Sequence, residues 1–240
     1  MIRFYSSDLV TTGVLPPDES GHCVKVLRHR VGDEIEVVDG KGKIYRCRIK
    51  VANPRGTSVE IIGIRDIAKQ WDGNIAVAIA PTKNMERIEW VVEKLVEIGV
   101  DEIIPMYCRH SERKEIKTER LERIIISAVK QSLKVHVPVL RGMTPFSKVL
   151  EETTEIDQKF IAYCDEAVGK SYLCKELRPG KDTIILIGPE GDFSNEEVAK
   201  ALNCGFIPAS LGECRLRTET AALVAVDTFH IINDLAKVLC

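Results

Sequence analysis

The sequence has no long apolar run. Nothing in its 240 residues approaches the roughly 20 consecutive apolar positions a membrane-spanning helix needs, so no membrane partner is expected. The amino end lacks the pattern of a secretory leader, because Arg3 and Asp8 interrupt it and no apolar core follows. The eight cysteines form no C-x-x-C pair and show no metal-ligand spacing. Without a leader they read as reduced thiols of a cytoplasmic protein, and no metal centre is expected. The five histidines do not cluster with carboxylates; His136 and His230 lie in apolar runs and read as packed side chains. There is no G-x-G-x-x-G or Walker A loop, no Ser-His-Asp or Cys-His signature, no repeat and no low-complexity tract. The chain is not basic overall: its net charge of −2 removes global charge as a sign of nucleic-acid binding.

What is present is the composition of a globular protein with a real core: 45 % hydrophobic and 29 % charged residues. The length allows one large domain or two modest ones. Charge is uneven: residues 1–70 carry 12 Lys/Arg against 9 Asp/Glu, and six basic residues fall between Lys41 and Arg55 with no acidic one. This first segment reads as short strands. Glu34 to Val38 and Lys43 to Ile49 flank Asp39-Gly-Lys-Gly42, a hairpin turn signal. Period-2 alternation puts Ile44, Arg46 and Arg48 on one face, and Tyr45, Cys47 and Ile49 on the other. Ser58 to Ile64 is a further strand. Gly21 to Arg30 reads as a short helix with Val24 and Leu27 inward, Lys25 and Arg28 outward. Closely spaced strands predict a small β-barrel. The arginine stripe is either a solvated face or a surface for RNA or DNA.

Asp66 to Gly73 reads as a linker. From Asn74 onward strands and helices alternate, which predicts an α/β domain with a mainly parallel sheet. Ile75 to Ala80, Glu102 to Met106 and Lys159 to Cys164 are strands. Asn84 to Ile98 is an amphipathic helix with Ile88, Val91, Val92 and Leu95 inward and Glu86, Arg87, Glu89, Glu93 and Lys94 outward. Thr118 caps a helix running to about Leu133, with Leu121, Ile125 and Ala128 on one face. Residues 221–240 form a mostly apolar helix, whose extent suggests burial on more than one side, by its own domain or by a second subunit.

One stretch organises this second segment. Ile184 to Ile187 is short, unbroken and β-branched, and reads as a strand buried on both faces. Gly188-Pro-Glu-Gly191 breaks it, and Ser194 with Glu197 forms a capping box for a helix. Strand, glycine loop, helix is the unit that places ligands at the carboxyl end of a parallel sheet. The pattern returns in outline at Phe206 to Ser210, Leu211-Gly212 and Cys214 to Thr220, so the two loops could wall one pocket. A glycine loop with a glutamate suits a nucleoside, since ribose hydroxyls need an acceptor; a plain tight turn is the alternative. Thr218 and Thr220 are candidate caps of the last helix. Arg215 and Arg217 stand where an anionic substrate group could be held.

Several stretches together resemble one family: His22-Cys-Val-Lys-Val-Leu-Arg28, Val31-Gly-Asp-Glu34, Asp39-Gly-Lys-Gly42, Val92 to Val100, Ser111-Glu-Arg113, Ala128 to Ser132, Ile187-Gly-Pro-Glu-Gly-Asp-Phe193 and Leu211-Gly-Glu-Cys-Arg-Leu-Arg-Thr-Glu-Thr-Ala221. They are similar to the RsmE family of small-subunit ribosomal RNA uridine N3-methyltransferases, of the SPOUT class. The resemblance covers essentially the whole chain. It implies a PUA-like β-barrel RNA-binding domain over 1–70 and a SPOUT methyltransferase domain with a trefoil knot over 74–240. It also implies a homodimer, S-adenosylmethionine as cofactor, and 16S ribosomal RNA or the assembled small subunit as partner. By the same resemblance Gly188, Glu190, Gly191, Leu211, Gly212, Leu216 and Thr218 hold the cofactor.

N3 of uracil must lose a proton to become nucleophilic, and a cation near the ring oxygens favours the anion. Arg217 is expected in that catalytic role. Glu219 either removes the proton, orients the arginine, or is a carboxylate favoured at a helix amino end. Lys25, Arg28, Arg46, Arg48 and Arg113 are the expected RNA contacts, with structural pairing of Arg113 equally open. Two positions depart from the family's usual pattern: Asp192 stands where a glycine is usual, and Cys214-Arg215-Leu216 precedes Arg217. Rival readings are methylation of another RNA, an RNA-binding module without catalysis, and a nucleotide-binding metabolic enzyme. Cofactor affinity separates the first two.

Overall fold

The computed structural model describes residues 2–163, 169 and 171–239. The described chain divides into two compact units: Met1–Gln70 with Ile126–Val137, and Trp71–Ile125 with Pro138–Cys240.

The first unit holds β1 (Arg3–Tyr5), α1 (Leu9–Thr12), α2 (Pro17–Gly21), β2 (Glu34–Val38), β3 (Lys43–Val51) and β4 (Ser58–Asp66), with the strands in the order β1-β2-β3-β4. β2 and β3 are the predicted antiparallel hairpin. Phe4, Leu9, Leu15, Cys23, Ile35, Val37, Tyr45, Cys47 and Ile49 form its core. Where Gly21 to Arg30 reads as one helix from sequence, the backbone instead follows α2 with a single π turn, His22–Val26, and stops. Cys23 is the fully buried residue there, and Arg28 turns the chain away with φ 58°. The predicted face of β3 also differs at one residue. Arg46 and Arg48 are exposed, but Ile44 is buried in a small cluster with Val38 and Val135. The reason is tertiary: residues 135–137 lie along the hairpin tip, Val135 O accepting from Gly42 N and Val137 N donating to Gly40 O. Residues 126–137 thus join residues 1–70 in this unit. Val135, which covers Ile44, lies 65 positions beyond residue 70, where helical periodicity carries no sign of its destination.

The second unit holds β5 (Ile75–Ile79), α3 (Met85–Ile98), β6 (Glu102–Tyr107), β7 (Val139–Leu140), β8 (Thr144–Pro145), α5 (Phe146–Glu152), β9 (Gln158–Ala162), β10 (Ser171–Tyr172), α6 (Leu173–Glu176), β11 (Thr183–Ile187), α7 (Asn195–Asn203), β12 (Ile207–Ser210) and α8 (Thr218–Leu239); α4 (Thr118–Gln131) spans the division between the units. The expected mainly parallel sheet is present, in the order β10-β12-β9-β11-β5-β6-β7, with β8 beside β6. β11 lies between β5 and β9 and pairs over its full length with both, which is why all five of its residues are buried. α3 begins at its Asn84 cap and buries Ile88, Val91, Val92, Leu95 and Val96. The strand read as Lys159 to Cys164 runs Gln158–Ala162, and Cys164 lies outside the described residues.

α8 starts at Thr218 rather than at 221 and buries one stripe, including Ala222, Ala225, Val226, Phe229 and Asn233. Ile231, Leu235, Val238 and Leu239 are exposed on this chain, so its own domain covers one side only. His230 is packed as read: its Nε2 lies 2.6 Å from Gly99 O and its ring meets Trp71 edge-on.

Candidate active site

β11 delivers the first loop, residues 188–192, at the carboxyl edge of the sheet. A Cβ on Gly188 would lie 3.0 Å from the Phe193 ring, so glycine lets the chain turn over that buried side chain without displacing it. Asp192 N donates to Pro189 O at 2.9 Å, closing a tight turn. Asp192 sits in the left-handed region at φ 61° and its Oδ1 accepts from Phe193 N at 2.8 Å. Aspartate tolerates that conformation better than most residues because its short side chain bonds locally. Aspartate is thus accommodated in this turn. Beyond it the capping box of Ser194 and Glu197 starts α7, and Glu197 Oε1 also accepts from Arg109 N at 2.8 Å. His110 Nδ1 lies 3.1 Å from the carbonyls of both Gly191 and Asp192. A Cβ on Gly191 would stand 3.1 Å from His110 Cβ, tighter than an ordinary contact, so glycine eases this close approach.

β12 delivers the second loop, residues 211–217. It reaches back to the first through Thr218, whose hydroxyl donates to Gly188 O at 3.1 Å. The expected cap is therefore not the use the structure makes of this hydroxyl: it ties two loops together, while Arg217 O accepts the first helical bond, from Ala221 N. Between the loops lies a cavity of about 290 Å³. Its walls are Ile187, Gly188, Pro189, Glu190 and Asp192 on one side and Arg215 to Glu219 with Ala221 on the other; Ala162, the last residue of β9, and Arg87 complete it.

Glu219 is the buried charge of this cavity, with a side chain 9 % exposed. Its Oε1 lies 3.7 Å from Arg87 Nε. Its Oε2 is buried and has no hydrogen-bond partner among the described residues. Arg217, in contrast, is exposed at the rim. Three cations (Arg87, Arg215, Arg217) and three carboxylates (Glu190, Asp192, Glu219) surround the space. Among the described residues no group of His, Cys, Asp and Glu could hold a metal ion.

Seven of the residues given a site role from sequence thus meet at one cavity: Gly188, Glu190, Arg215, Leu216, Arg217, Thr218 and Glu219. Gly191, Leu211 and Gly212 belong to the same loops but stand off its wall. Gly191 is under His110, and Gly212 N donates to Ser210 Oγ at 3.3 Å. Arg113 lies elsewhere in this unit. It donates to Lys83 O at 2.9 Å and lines a separate hollow of about 400 Å³ with Met85, Glu89, Lys117 and Arg120. Lys25, Arg28, Arg46 and Arg48 are exposed residues of the first unit. Arg46 and Arg48 both pair with Glu34, and the flanking Lys50 and Arg65 pair with Glu60 and Glu36. The basic run of the sequence is therefore interleaved with carboxylates from neighbouring strands. Lys25 and Arg28 have no ion pair of this kind among the described residues.

Arg87 was missed from sequence because helical periodicity makes it merely an outward residue of α3. The available signal was its place just after β5, at the same sheet edge as the first loop.

Comparison with known proteins places these features. A family model described as an RNA methyltransferase domain matches residues 69–230, and one described as an RNA methyltransferase PUA domain matches residues 15–62. The chain is 30 % identical over 218 residues to the ribosomal RNA small subunit methyltransferase E of Buchnera aphidicola subsp. Acyrthosiphon pisum, covering 87 % of this chain and 84 % of that protein. A crystal structure of a probable rRNA-methyltransferase from Porphyromonas gingivalis superposes with a TM-score of 0.94 at 47 % identity, covering 98 % of this chain and 100 % of that one. The ribosomal RNA small subunit methyltransferase E from Neisseria gonorrhoeae, solved bound to S-adenosyl methionine, superposes with a TM-score of 0.84 at 28 % identity, covering 97 % and 98 %.

Proposed function

Because this chain belongs to the family of ribosomal RNA small subunit methyltransferase E proteins, we propose that it methylates N3 of a uridine in 16S ribosomal RNA, using S-adenosylmethionine. The observation that carries this reading is the cavity between the two loops, closed by the Thr218–Gly188 hydrogen bond.

The cavity fits the cofactor chemically. It offers apolar walls in Ile187, Leu216, Ala162 and Ala221 for an adenine ring, and a free-standing glutamate, Glu190, as acceptor for ribose hydroxyls. Its carboxylates suit a ligand carrying a sulfonium. The glycine loop carries no lysine or arginine, consistent with a nucleoside that has no phosphate. S-adenosylmethionine, when bound, supplies an electrophilic methyl group. The protein's own residues must then orient the acceptor in line with it. Arg217, exposed at the rim, stabilises negative charge on the uracil oxygens as N3 loses its proton. Glu219 accepts that proton through its free Oε2.

We assign 1–70 as a PUA-like RNA-binding domain, contributing contacts from Lys25, Arg28, Arg46 and Arg48, and 74–240 as the SPOUT catalytic domain, with Arg113 as a further RNA contact. Insertion of β11 between β5 and β9, both earlier in the chain, supports a trefoil knot. The exposed Ile231, Leu235, Val238 and Leu239 of α8 support a homodimer. No helix among the described residues is long and apolar enough to cross a membrane. Work on ribosomal RNA would place the protein in the cytoplasm.

The test is calorimetric titration with S-adenosylhomocysteine, followed by methyl transfer to small subunits and to deproteinised RNA from a strain lacking this protein. Binding with transfer mapped to N3 of one uridine is the expected result. Binding without transfer would make the substrate wrong, and absence of binding would favour an RNA-binding module.

A further inference from the structure

Glu219 is buried, yet among the described residues a single cation, Arg87, pairs with it. The charged groups facing the cavity are Arg87 from α3, Glu190 and Asp192 from the first loop, and Arg215 and Arg217 from the second. Of these, Arg87 alone forms an ion pair with Glu219, to Oε1. Oε2 is buried and has no donor among the described residues. A carboxylate accepts at both oxygens, and leaving a buried one unpaired is costly, so such a group points to a donor that arrives with a ligand.

We propose that Arg87 is a positioning residue of methyl transfer: it holds Glu219 aimed so that Oε2 receives the N–H proton of the acceptor base. This rests on reading the cavity as the methyl-transfer site. The N–H proton passes to Oε2, the nitrogen lone pair forms the new N–CH3 bond, the S–CH3 bond breaks, and its electron pair neutralises the sulfonium. The carboxylate ends protonated, so charge balances.

Arg87 is well placed for this. It lies in the first turn of α3, which Asn84 caps by accepting from Glu86 N at 2.9 Å, and the next residue, Ile88, is 1 % exposed and anchors the turn. A guanidinium remains charged at any working pH and keeps a planar fork, which a lysine cannot reproduce.

The experiment compares Arg87→Gln, Arg87→Lys and Glu219→Gln with the parent on small subunits, with thermal melts to confirm folding. Arg87→Gln should lower kcat roughly tenfold to a hundredfold while the Kd for S-adenosylhomocysteine and the KM for RNA stay within about twofold. It should also move the acid limb of the kcat profile to higher pH, because losing a nearby cation disfavours the carboxylate. Arg87→Lys should fall between, and Arg87→Gln added to Glu219→Gln should lower kcat no further. An unmoved acid limb would overturn the proposal, as would additive losses. So would a raised KM with intact kcat, which would make Arg87 an RNA contact. If Arg87→Gln fails to fold, Arg87→Lys decides: a lowered kcat with KM intact supports the proposal, and an unchanged kcat overturns it. A parent protein that binds no S-adenosylhomocysteine would instead overturn the reading of the cavity, and this inference with it.

Discussion

Thr218 donates its hydroxyl hydrogen to the carbonyl of Gly188, thirty positions earlier in the chain. Both residues are buried, and the bond joins the loop after β11 to the first turn of α8. Thr218→Val keeps the shape and removes the donor, leaving a buried carbonyl unsatisfied at a cost of about 1–3 kcal/mol. A lower melting temperature and weaker S-adenosylhomocysteine binding should follow, with Thr218→Ser restoring both. Unchanged affinity in a folded Thr218→Val protein would separate the bond from the cofactor site.

Arg217 is exposed beside the cavity, whereas Thr218 and Glu219 behind it are buried. A residue at the rim can meet an incoming base without supporting the loops. Arg217→Ala should therefore lower kcat by roughly a hundredfold, the scale of losing one donor to a developing anion. Titration with S-adenosylhomocysteine should show little change. If turnover survives, Arg217 has no part in the chemistry.

Asp192 holds a left-handed backbone that a β-branched residue cannot adopt cheaply. Asp192→Val should destabilise the fold by about 1–3 kcal/mol, the range for such strained positions. Asp192→Gly should be far milder, and Asp192→Asn should keep both the turn and the bond to Phe193 N. Thermal denaturation of the three variants orders them; equal melting temperatures would show that the conformation is not under strain.

The two basic groups of the first unit differ in their neighbours. Arg46 and Arg48 share Glu34, while Lys25 and Arg28 stand exposed without such a pair among the described residues. Lys25→Glu with Arg28→Glu should weaken RNA binding and flatten its dependence on log salt by about one unit per lost phosphate contact. Arg46→Glu with Arg48→Glu should change the slope less, because part of that charge is already neutralised by Glu34. A larger effect of the second pair would place the RNA on the β2–β3 face.

The sequence by itself determined the hairpin around Asp39 to Gly42, the buried strand before Gly188, the capping box of α7 and the alternation that makes the second sheet parallel. Each rests on local chemistry: turn residues, side-chain period, or a cap three positions from its partner. It also marked both loops that line the cavity, because glycine, proline and a conspicuous glutamate are local signals.

Only the tertiary structure decided what those loops face. Burial of Ile44 by Val135, the bond from Thr218 to Gly188, and the approach of Arg87 to Glu219 all join residues dozens of positions apart. The first cancels an alternation that reads cleanly along β3. The second turns an expected helix cap into a clasp between loops. The third gives a role to an arginine that helical periodicity assigns to solvent. Periodicity records which face of an element is apolar; which other element meets that face depends on packing across the chain, and only the folded chain contains it.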